Sequence, residues 1–288
     1  MIPYIIFPMF NEWIQRLLPV VIAALLLPLH SYAFDLDAAP KEVVPGDVFA
    51  LRLKGSALLP AEAEFNGNKI GLYTACDELI ALVPVALDTA PGKYSVIVRQ
   101  GAEELAASVE VKAHEFKSIE LTLPEGKVTL SPEDLERAKR EASLLEGIWP
   151  LNTSMIWRGR FVSPTGTPVS TEFGLNRVMN GKRNSVHTGT DFRGKTGAPV
   201  RSINSGTVVL AGDFFFGGNT VVVDHGMGLY SIYMHLSKFN VAKGDKVSKE
   251  QTVGLVGSTG RVTGPHLHMS VKLNGVSVNP ESLFRLKL

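Results

Sequence analysis

The C-terminal half of the chain is cut into short apolar runs by glycine. Glycine recurs at Gly206, Gly217, Gly218, Gly226, Gly228, Gly244, Gly254, Gly257, Gly260 and Gly264. Between these positions lie Val208-Val209-Leu210, Val221-Val222-Val223 and Leu229-Tyr230-Ser231-Ile232-Tyr233. Runs of β-branched and aromatic residues this short, closed by residues that permit tight turns, predict strands. Over residues 151–288 the pattern predicts a compact antiparallel sheet dominated by hairpins.

Residues 34–112 follow a related pattern. Pro45-Gly46-Asp47 precedes Val48-Phe49-Ala50-Leu51-Arg52-Leu53, and Pro91-Gly92-Lys93 precedes Tyr94-Ser95-Val96-Ile97-Val98. Val109-Glu110-Val111 alternates after Gly101-Ala102-Glu103. Short strands between Pro-Gly turns predict an N-terminal β-sandwich, and it carries no cluster of metal-ligand residue types. Residues 113–150 read as a linker with one helix. Ser131 caps it, Pro132 suits its first position, and Asp134 falls where a carboxylate is favoured. Leu135, Ala138, Ala142 and Leu145 share one face, and Arg137 pairs with Glu141 at i,i+4 on another. The helix is expected to dock on a domain. The chain is therefore expected to be mostly β, and its 288 residues suffice for two domains with real cores.

Residues 1–33 stand apart. The apolar run 17–29 is shorter than the roughly 20 residues a membrane-spanning helix needs. Arg16 precedes it and Ser31-Tyr32-Ala33 ends it, as in a secretory signal peptide cleaved before Phe34; an uncleaved anchor is the alternative. Cys76 is the single cysteine, so no internal disulfide forms, and it reads as a small buried apolar residue. A net charge of +1 gives no electrostatic footprint for nucleic acid.

Four of the seven histidines lie in informative places. On a strand, His266-Leu267-His268 points both imidazoles to one face and Leu267 to the other. His187 and Asp191 share a face of an extended chain but stand about 13 Å apart if it is straight. Gly189, between them, permits a bend. His235 adds a third segment, whereas His225 follows Asp224 in an apparent turn and reads as structural. Imidazole and carboxylate are ordinary zinc ligands. Spacing alone leaves open which of His266 and His268 faces a metal.

Taken together, these residues resemble the lysostaphin-type, or LytM-like, zinc endopeptidase family. The resemblance is carried by Phe173-Gly174, Asn180-Gly181, His187-x-Gly189-x-Asp191, Gly197-Ala198-Pro199-Val200 and Ser205-Gly206-Thr207-Val208. It continues through Ala211-Gly212, Asp224-His225-Gly226, Tyr233-Met234-His235-Leu236 and Gly244-Asp245-Lys246-Val247. It closes with Gly257-Ser258-Thr259-Gly260, Thr263-Gly264-Pro265-His266-Leu267-His268 and Asn279-Pro280. Nearly all of residues 160–285 is covered.

The resemblance implies a duplicated-hybrid-motif-like antiparallel metallopeptidase domain. It implies one Zn2+ per chain held by His187, Asp191 and His268, with His235 and His266 as unliganded catalytic histidines. The expected reaction is hydrolysis of peptide bonds in bacterial peptidoglycan by metal-activated water. D-alanyl-diaminopimelate cross-links are the expected substrate, and glycyl-glycine bridges remain open. His266 is read as general base, and His235 as stabiliser of the oxyanion or proton donor to the leaving amine; the two roles are exchangeable. Asn180, Arg177 and Tyr233 are candidate substrate contacts, with rim formation or packing as the plainer reading. Residues 214–216, three phenylalanines, either wall the groove or join the core.

Expected partners are the peptidoglycan peptide and a regulatory protein, with no nucleic acid, and membrane only through residues 1–33 if these stay uncleaved. The expected location is exported, periplasmic or associated with the cell envelope. The N-terminal domain is expected to restrain activity by partly covering the groove. A non-enzymatic regulator that has lost ligands is disfavoured because all five positions are filled. A carrier domain built on Val241-Ala242-Lys243-Gly244-Asp245-Lys246-Val247 lacks the flanking signature and leaves the histidines unexplained.

Overall fold

A computed structural model describes residues 35–55, 61–75, 77–101, 103–122, 130–151, 153–181 and 183–288. The signal peptide expected at 1–33 and the reading of Cys76 lie outside these residues. The architecture is mostly β. One sheet of the N-terminal sandwich orders Asp35–Ala39, Val48–Lys54, Glu78–Pro84 and Tyr73–Ala75; the other orders Glu42–Val43, Glu103–Val111, Gly92–Gln100, Glu62–Phe65 and Asn68–Ile70. Phe49, Leu51, Leu53, Ala81, Val83, Val96, Val98 and Val109 fill the space between them.

The strand Val48–Lys54 is buried on both faces, which explains its unbroken apolar run. Its other face, Val48 and Ala50, joins Leu82 in the core of the C-terminal region. Backbone contacts tie the two regions here. Val48 N–H donates to Ser282 Oγ at 3.1 Å, and Asn279 N–H donates to Gly46 carbonyl at 2.7 Å. Ser282 belongs to the short helix Pro280–Arg285, which Asn279 caps.

The C-terminal region is built on a large sheet. Its path runs Val169–Thr171, Thr190–Arg193, His266–Leu273, Leu229–Phe239, Gly218–Gly226, Gly206–Phe214 and Lys246–Val247. The hairpins expected from the glycine spacing join these strands antiparallel. A separate small sheet places Asn176–Met179 between Arg183–Val186, antiparallel, and Ser118–Leu121, parallel.

The central strand His266–Leu273 shows why one face of the large sheet can carry chemistry. Leu267, Met269, Val271 and Leu273 are fully buried with Leu229 and Tyr233 in the main core. The alternate residues His266, His268, Ser270 and Lys272 therefore stand on the opposite face. Cross-strand partners share a face. Met234 is opposite His268, Ile232 opposite Ser270, and Tyr230 opposite Lys272. Toward its far end this second face is roofed by Trp149, which packs with Tyr230, Ile232, Val222, Leu210 and Phe214.

The linker helix spans Pro132–Glu146, with Ser131 Oγ accepting from Asp134 N–H as its cap. It has no buried residue. Its partly buried stripe runs through Arg137, Ala138, Glu141 and Leu145, so Ala138 and Leu145 of the apolar set foreseen from periodicity face inward while Leu135 and Ala142 stay exposed. Leu145 packs beside Trp149, while Leu135 stays 43% exposed. The Arg137–Glu141 pair lies on the docking side because the sheet offers it polar partners there.

His225 lies within the strand Gly218–Gly226 rather than in the turn its context suggested, and its surroundings there are structural. It is wholly buried, with Nδ1 donating to Ser205 carbonyl at 2.8 Å and Nε2 facing Ser231 Oγ at 2.8 Å. Burial pushes its pKa down to about 4. The folded protein therefore keeps His225 neutral while the unfolded chain takes up a proton below the ordinary value of about 6.5. Its stabilising contribution is complete above that value and is lost as the pH falls toward 4. Between pH 7 and pH 5 this single site is expected to remove about 2 kcal/mol. Urea unfolding at the two pH values should show a shallower loss in His225→Gln than in the wild type.

Candidate metal centre

Three strand segments converge at one end of the polar sheet face. Asp191 and His268 lie directly opposite each other on adjacent antiparallel strands, so their side chains project to the same side. His187 arrives from the small sheet. Its N–H donates to Leu175 carbonyl and its carbonyl accepts from Gly174 N–H, both within 2.9 Å. The chain then leaves the small sheet at Thr188-Gly189 and enters the large one at Thr190. That crossing is the bend the His187–Asp191 spacing requires.

The three donor atoms meet. His187 Nε2 is 3.0 Å from Asp191 Oδ1 and 3.0 Å from His268 Nδ1, and His268 Nδ1 is 2.8 Å from Asp191 Oδ1. Two imidazole nitrogens and one carboxylate oxygen thus face a common point, and the set has the composition of a divalent-cation site. The far nitrogens are engaged. His187 Nδ1 donates to Glu172 carbonyl at 2.8 Å, which turns Nε2 inward. His268 Nε2 pairs with Ser270 Oγ at 3.0 Å, which turns Nδ1 inward. Such outer partners orient metal-binding imidazoles. The chemistry and disposition of the donors fit a zinc-type ion.

Electrostatics agree with that disposition. Burial alone would raise the Asp191 carboxyl, but its hydrogen bonds with His187 and His268 prevail and hold it well below the usual carboxylate range. Burial lowers the pKa of His268 against the pull of Asp191. Both groups are thus in the ionisation state a cation needs.

His266 and His235 stand beside the triad without joining it. His266 Nε2 is 3.8 Å from Asp191 Oδ1, and its Nδ1 donates to Gly264 carbonyl at 2.9 Å. The His235 ring centroid lies 5.0 Å from that of His266 and 6.0 Å from that of His268. Its Nδ1 donates to Thr259 carbonyl at 2.9 Å, and burial pushes its pKa down to about 4.

His235 reaches this position through a break in its strand. Asn219 pairs with Leu236 while Val221 pairs with Tyr233, so the His235 strand holds one residue more than its neighbour. His235 takes φ +63° within this bulge, a left-handed conformation costing about 1–2 kcal/mol for a residue with a Cβ. Bulges of this kind re-aim a side chain. They also correct one expectation. Tyr233 does not share the face of His235; it is fully buried on the core side, its hydroxyl accepting from Ile203 N–H at 2.9 Å. Tyr233 is therefore no substrate contact.

The remaining candidates separate. Arg177 Nη2 is 3.6 Å from Asp191 Oδ2, at the edge of the site. Asn180 sits at the tip of the hairpin between Asn176–Met179 and Arg183–Val186, with φ +52° followed by Gly181 at +63°. Asn-Gly suits such a left-handed turn, which accounts for this dipeptide. Phe214 joins the core and Phe216 remains 41% exposed. Sequence reading missed Ser270, although it continues the period-two series His266, His268. It also missed the carbonyls of Glu172, Thr259 and Gly264, which leave no trace in residue type.

Comparison with known proteins places this geometry. The model of peptidase family M23 matches residues 185–280. The crystal structure of a protein assigned to peptidase M23 from Pseudomonas aeruginosa is 30% identical, covering 84% of this chain and 94% of that one, with a TM-score of 0.64. The chain belongs to peptidase family M23. It is 48% identical over 98 residues to the peptidoglycan DD-endopeptidase ShyA of Vibrio cholerae, a match covering 34% of this M23 chain and 23% of ShyA. It is 40% identical over 119 residues to the DD-carboxypeptidase/endopeptidase Mpg of Neisseria meningitidis, covering 41% of this chain and 27% of Mpg. The matches thus span about a quarter of these relatives.

Gly189 tests the tightness of the centre. A Cβ there would lie 2.6 Å from His268 Nε2, from Met269 carbonyl and from Ser270 Oγ. Since a backbone carbonyl blocks one side, the His268–Ser270 pair must yield. Gly189→Ala is expected to weaken divalent-ion affinity at least about tenfold, the scale seen when outer partners of metal ligands are lost. Competition against a chromogenic chelator measures it, and an unchanged affinity would refute this account of Gly189.

Proposed function

We propose that this chain is a zinc-dependent endopeptidase that hydrolyses peptide bonds in bacterial peptidoglycan, with D-alanyl-diaminopimelate cross-links as its substrate. The observation that carries the reading is the mutual approach of His187 Nε2, Asp191 Oδ1 and His268 Nδ1 to within 3.0 Å, with two further imidazoles beside them. Membership of a peptidase family supports the reaction class. Similarity to a peptidoglycan DD-endopeptidase supports the substrate and, with it, a location outside the cytoplasm.

In this reading His187, Asp191 and His268 hold one zinc ion. When bound, the ion supplies Lewis acidity, which makes water a competent nucleophile near neutral pH and polarises a peptide carbonyl. The chain supplies positioned proton carriers. His266 commits Nδ1–H to Gly264 carbonyl, so its Nε2 lone pair faces the site and takes a proton from water. His235 commits Nδ1–H to Thr259 carbonyl and stays neutral at pH 7, because burial disfavours its charged form. The proton taken from water is the one the amine receives: it passes from His266 to Nε2 of His235, which holds it weakly and gives it to the departing nitrogen as the C–N bond breaks. Arg177 orients the outer oxygen of Asp191 and borders the groove.

The test is digestion of defined wall fragments by the zinc-loaded protein, with product masses identifying the bond cut. His187→Ala is expected to lose zinc and activity together. His235→Ala is expected to keep its zinc and lose turnover by roughly 10²–10⁴-fold, the usual contribution of a proton-transfer group. Full turnover in His235→Ala would remove it from the mechanism, and intact fragments after prolonged incubation with the wild type would defeat the peptidase reading.

A further inference from the structure

The linker helix is tied to the site by contacts that its sequence position does not suggest. Glu141 divides its carboxylate between two partners. Oε1 accepts from Arg137 Nε at 2.7 Å, and Oε2 accepts from the backbone N–H of Phe215 at 2.7 Å. Arg137 reaches on to Asp213 Oδ2 at 2.9 Å. The helix therefore grips the hairpin turn at residues 213–218 at two points.

That turn holds His235. Gly217 carbonyl accepts from His235 N–H at 2.7 Å, beside the left-handed backbone that aims the ring. The same turn is locked to the loop that holds the ring itself. Phe216 carbonyl accepts from Arg261 N–H at 3.0 Å, and Asn219 N–H donates to Thr259 Oγ1 at 2.9 Å. Gly218 and Gly260, both at positive φ, lie so close that a Cβ on either would overlap the other's segment. Thr259 carbonyl then receives His235 Nδ1–H. Backbone and ring of His235 are thus both referred to one turn, and the helix braces that turn.

Packing does not explain the brace. The helix buries no side chain, and the Arg137–Asp213 pair is too exposed to count for much in stability. The contact with most directional force is the charge-assisted bond from Phe215 N–H to Glu141. We propose that Glu141, aided by Arg137, is a positioning residue for His235: it fixes the turn at residues 213–218 and thereby the imidazole that hands on the proton. This deepens the peptidase reading and rests on it for its kinetic arm.

The experiment uses the full zinc-loaded chain and four proteins: wild type, Glu141→Ala, Glu141→Gln and Glu136→Gln. Glu136 pairs with Lys139 on the same helix and serves as control. Glu141→Ala is expected to lower kcat roughly tenfold to a hundredfold, the scale of a small misplacement of a reacting group, with KM and zinc content near wild type. Glu141→Gln still offers an amide oxygen to Phe215 N–H and should restore most of the loss. Glu136→Gln should match the wild type. Imidazole 15N resonances of His235 should move in Glu141→Ala and return in Glu141→Gln. Wild-type kcat and unmoved His235 resonances in Glu141→Ala would overturn the proposal, as would an equal loss in Glu136→Gln. Should Glu141→Ala fail to fold, Arg137→Gln should give a smaller loss of kcat and a smaller shift in the same direction; no change in either would overturn the proposal. An inactive wild type would count against the peptidase reading alone, and the His235 resonances would then decide this one.

Discussion

The pairing of Asp191 with His268 across two antiparallel strands holds the site together, and hydrophobic burial maintains it. Leu267, Met269, Val271 and Leu273 alternate with the polar residues of the same strand and lie in the main core. Each such side chain is worth about 1.5–3 kcal/mol when buried. A slip of one residue would push four apolar side chains to the polar face and drive His266 and His268 into the core. No hydrogen bond at the site matches that sum. The apolar residues therefore set the position of the imidazoles, and the polar contacts act within limits already drawn.

Those contacts choose ring nitrogens. Carbonyls can only accept, so Glu172, Thr259 and Gly264 each claim an N–H and turn the opposite nitrogen toward the site. Ser270 engages Nε2 of His268 and turns Nδ1 inward. His187 and His268 thus present different nitrogens inward, a consequence of which strand each arrives on. The bulge at His235 adds a fourth imidazole that strict alternation would have sent into the core.

The N-terminal sandwich and linker contribute more than a tether. Phe173, next to the carbonyl that orients His187, packs so closely on Gly46 of the sandwich that a Cβ there would overlap its ring. Phe116 fills the space above Gly174 in the same way. Residues 118–121 add a parallel strand to the small sheet that delivers His187. The polar face of the large sheet continues from the imidazoles to Trp149, so the linker also roofs the far end of the same surface.

Much of this was legible in residue order. The glycine-punctuated runs announced hairpins, the Pro-Gly turns a sandwich, and Ser131-Pro132 the start of a helix. The period of two across His266, Leu267 and His268 placed both imidazoles on one face, because strand geometry is local. Resemblance, not spacing, singled out His268 over His266, since alternation treats the two alike. Tyr233 and the inward placing of Arg137 and Glu141 on the helix were misread because both depend on partners distant in sequence: an extra residue relative to the neighbouring strand, and a backbone N–H exposed at a turn. Local pattern determined which elements form and which faces they offer. Only tertiary structure decided which ring nitrogen turns inward and how His187 crosses between sheets to reach Asp191, because carbonyl positions and strand register are properties of the assembled fold that no side-chain alphabet encodes.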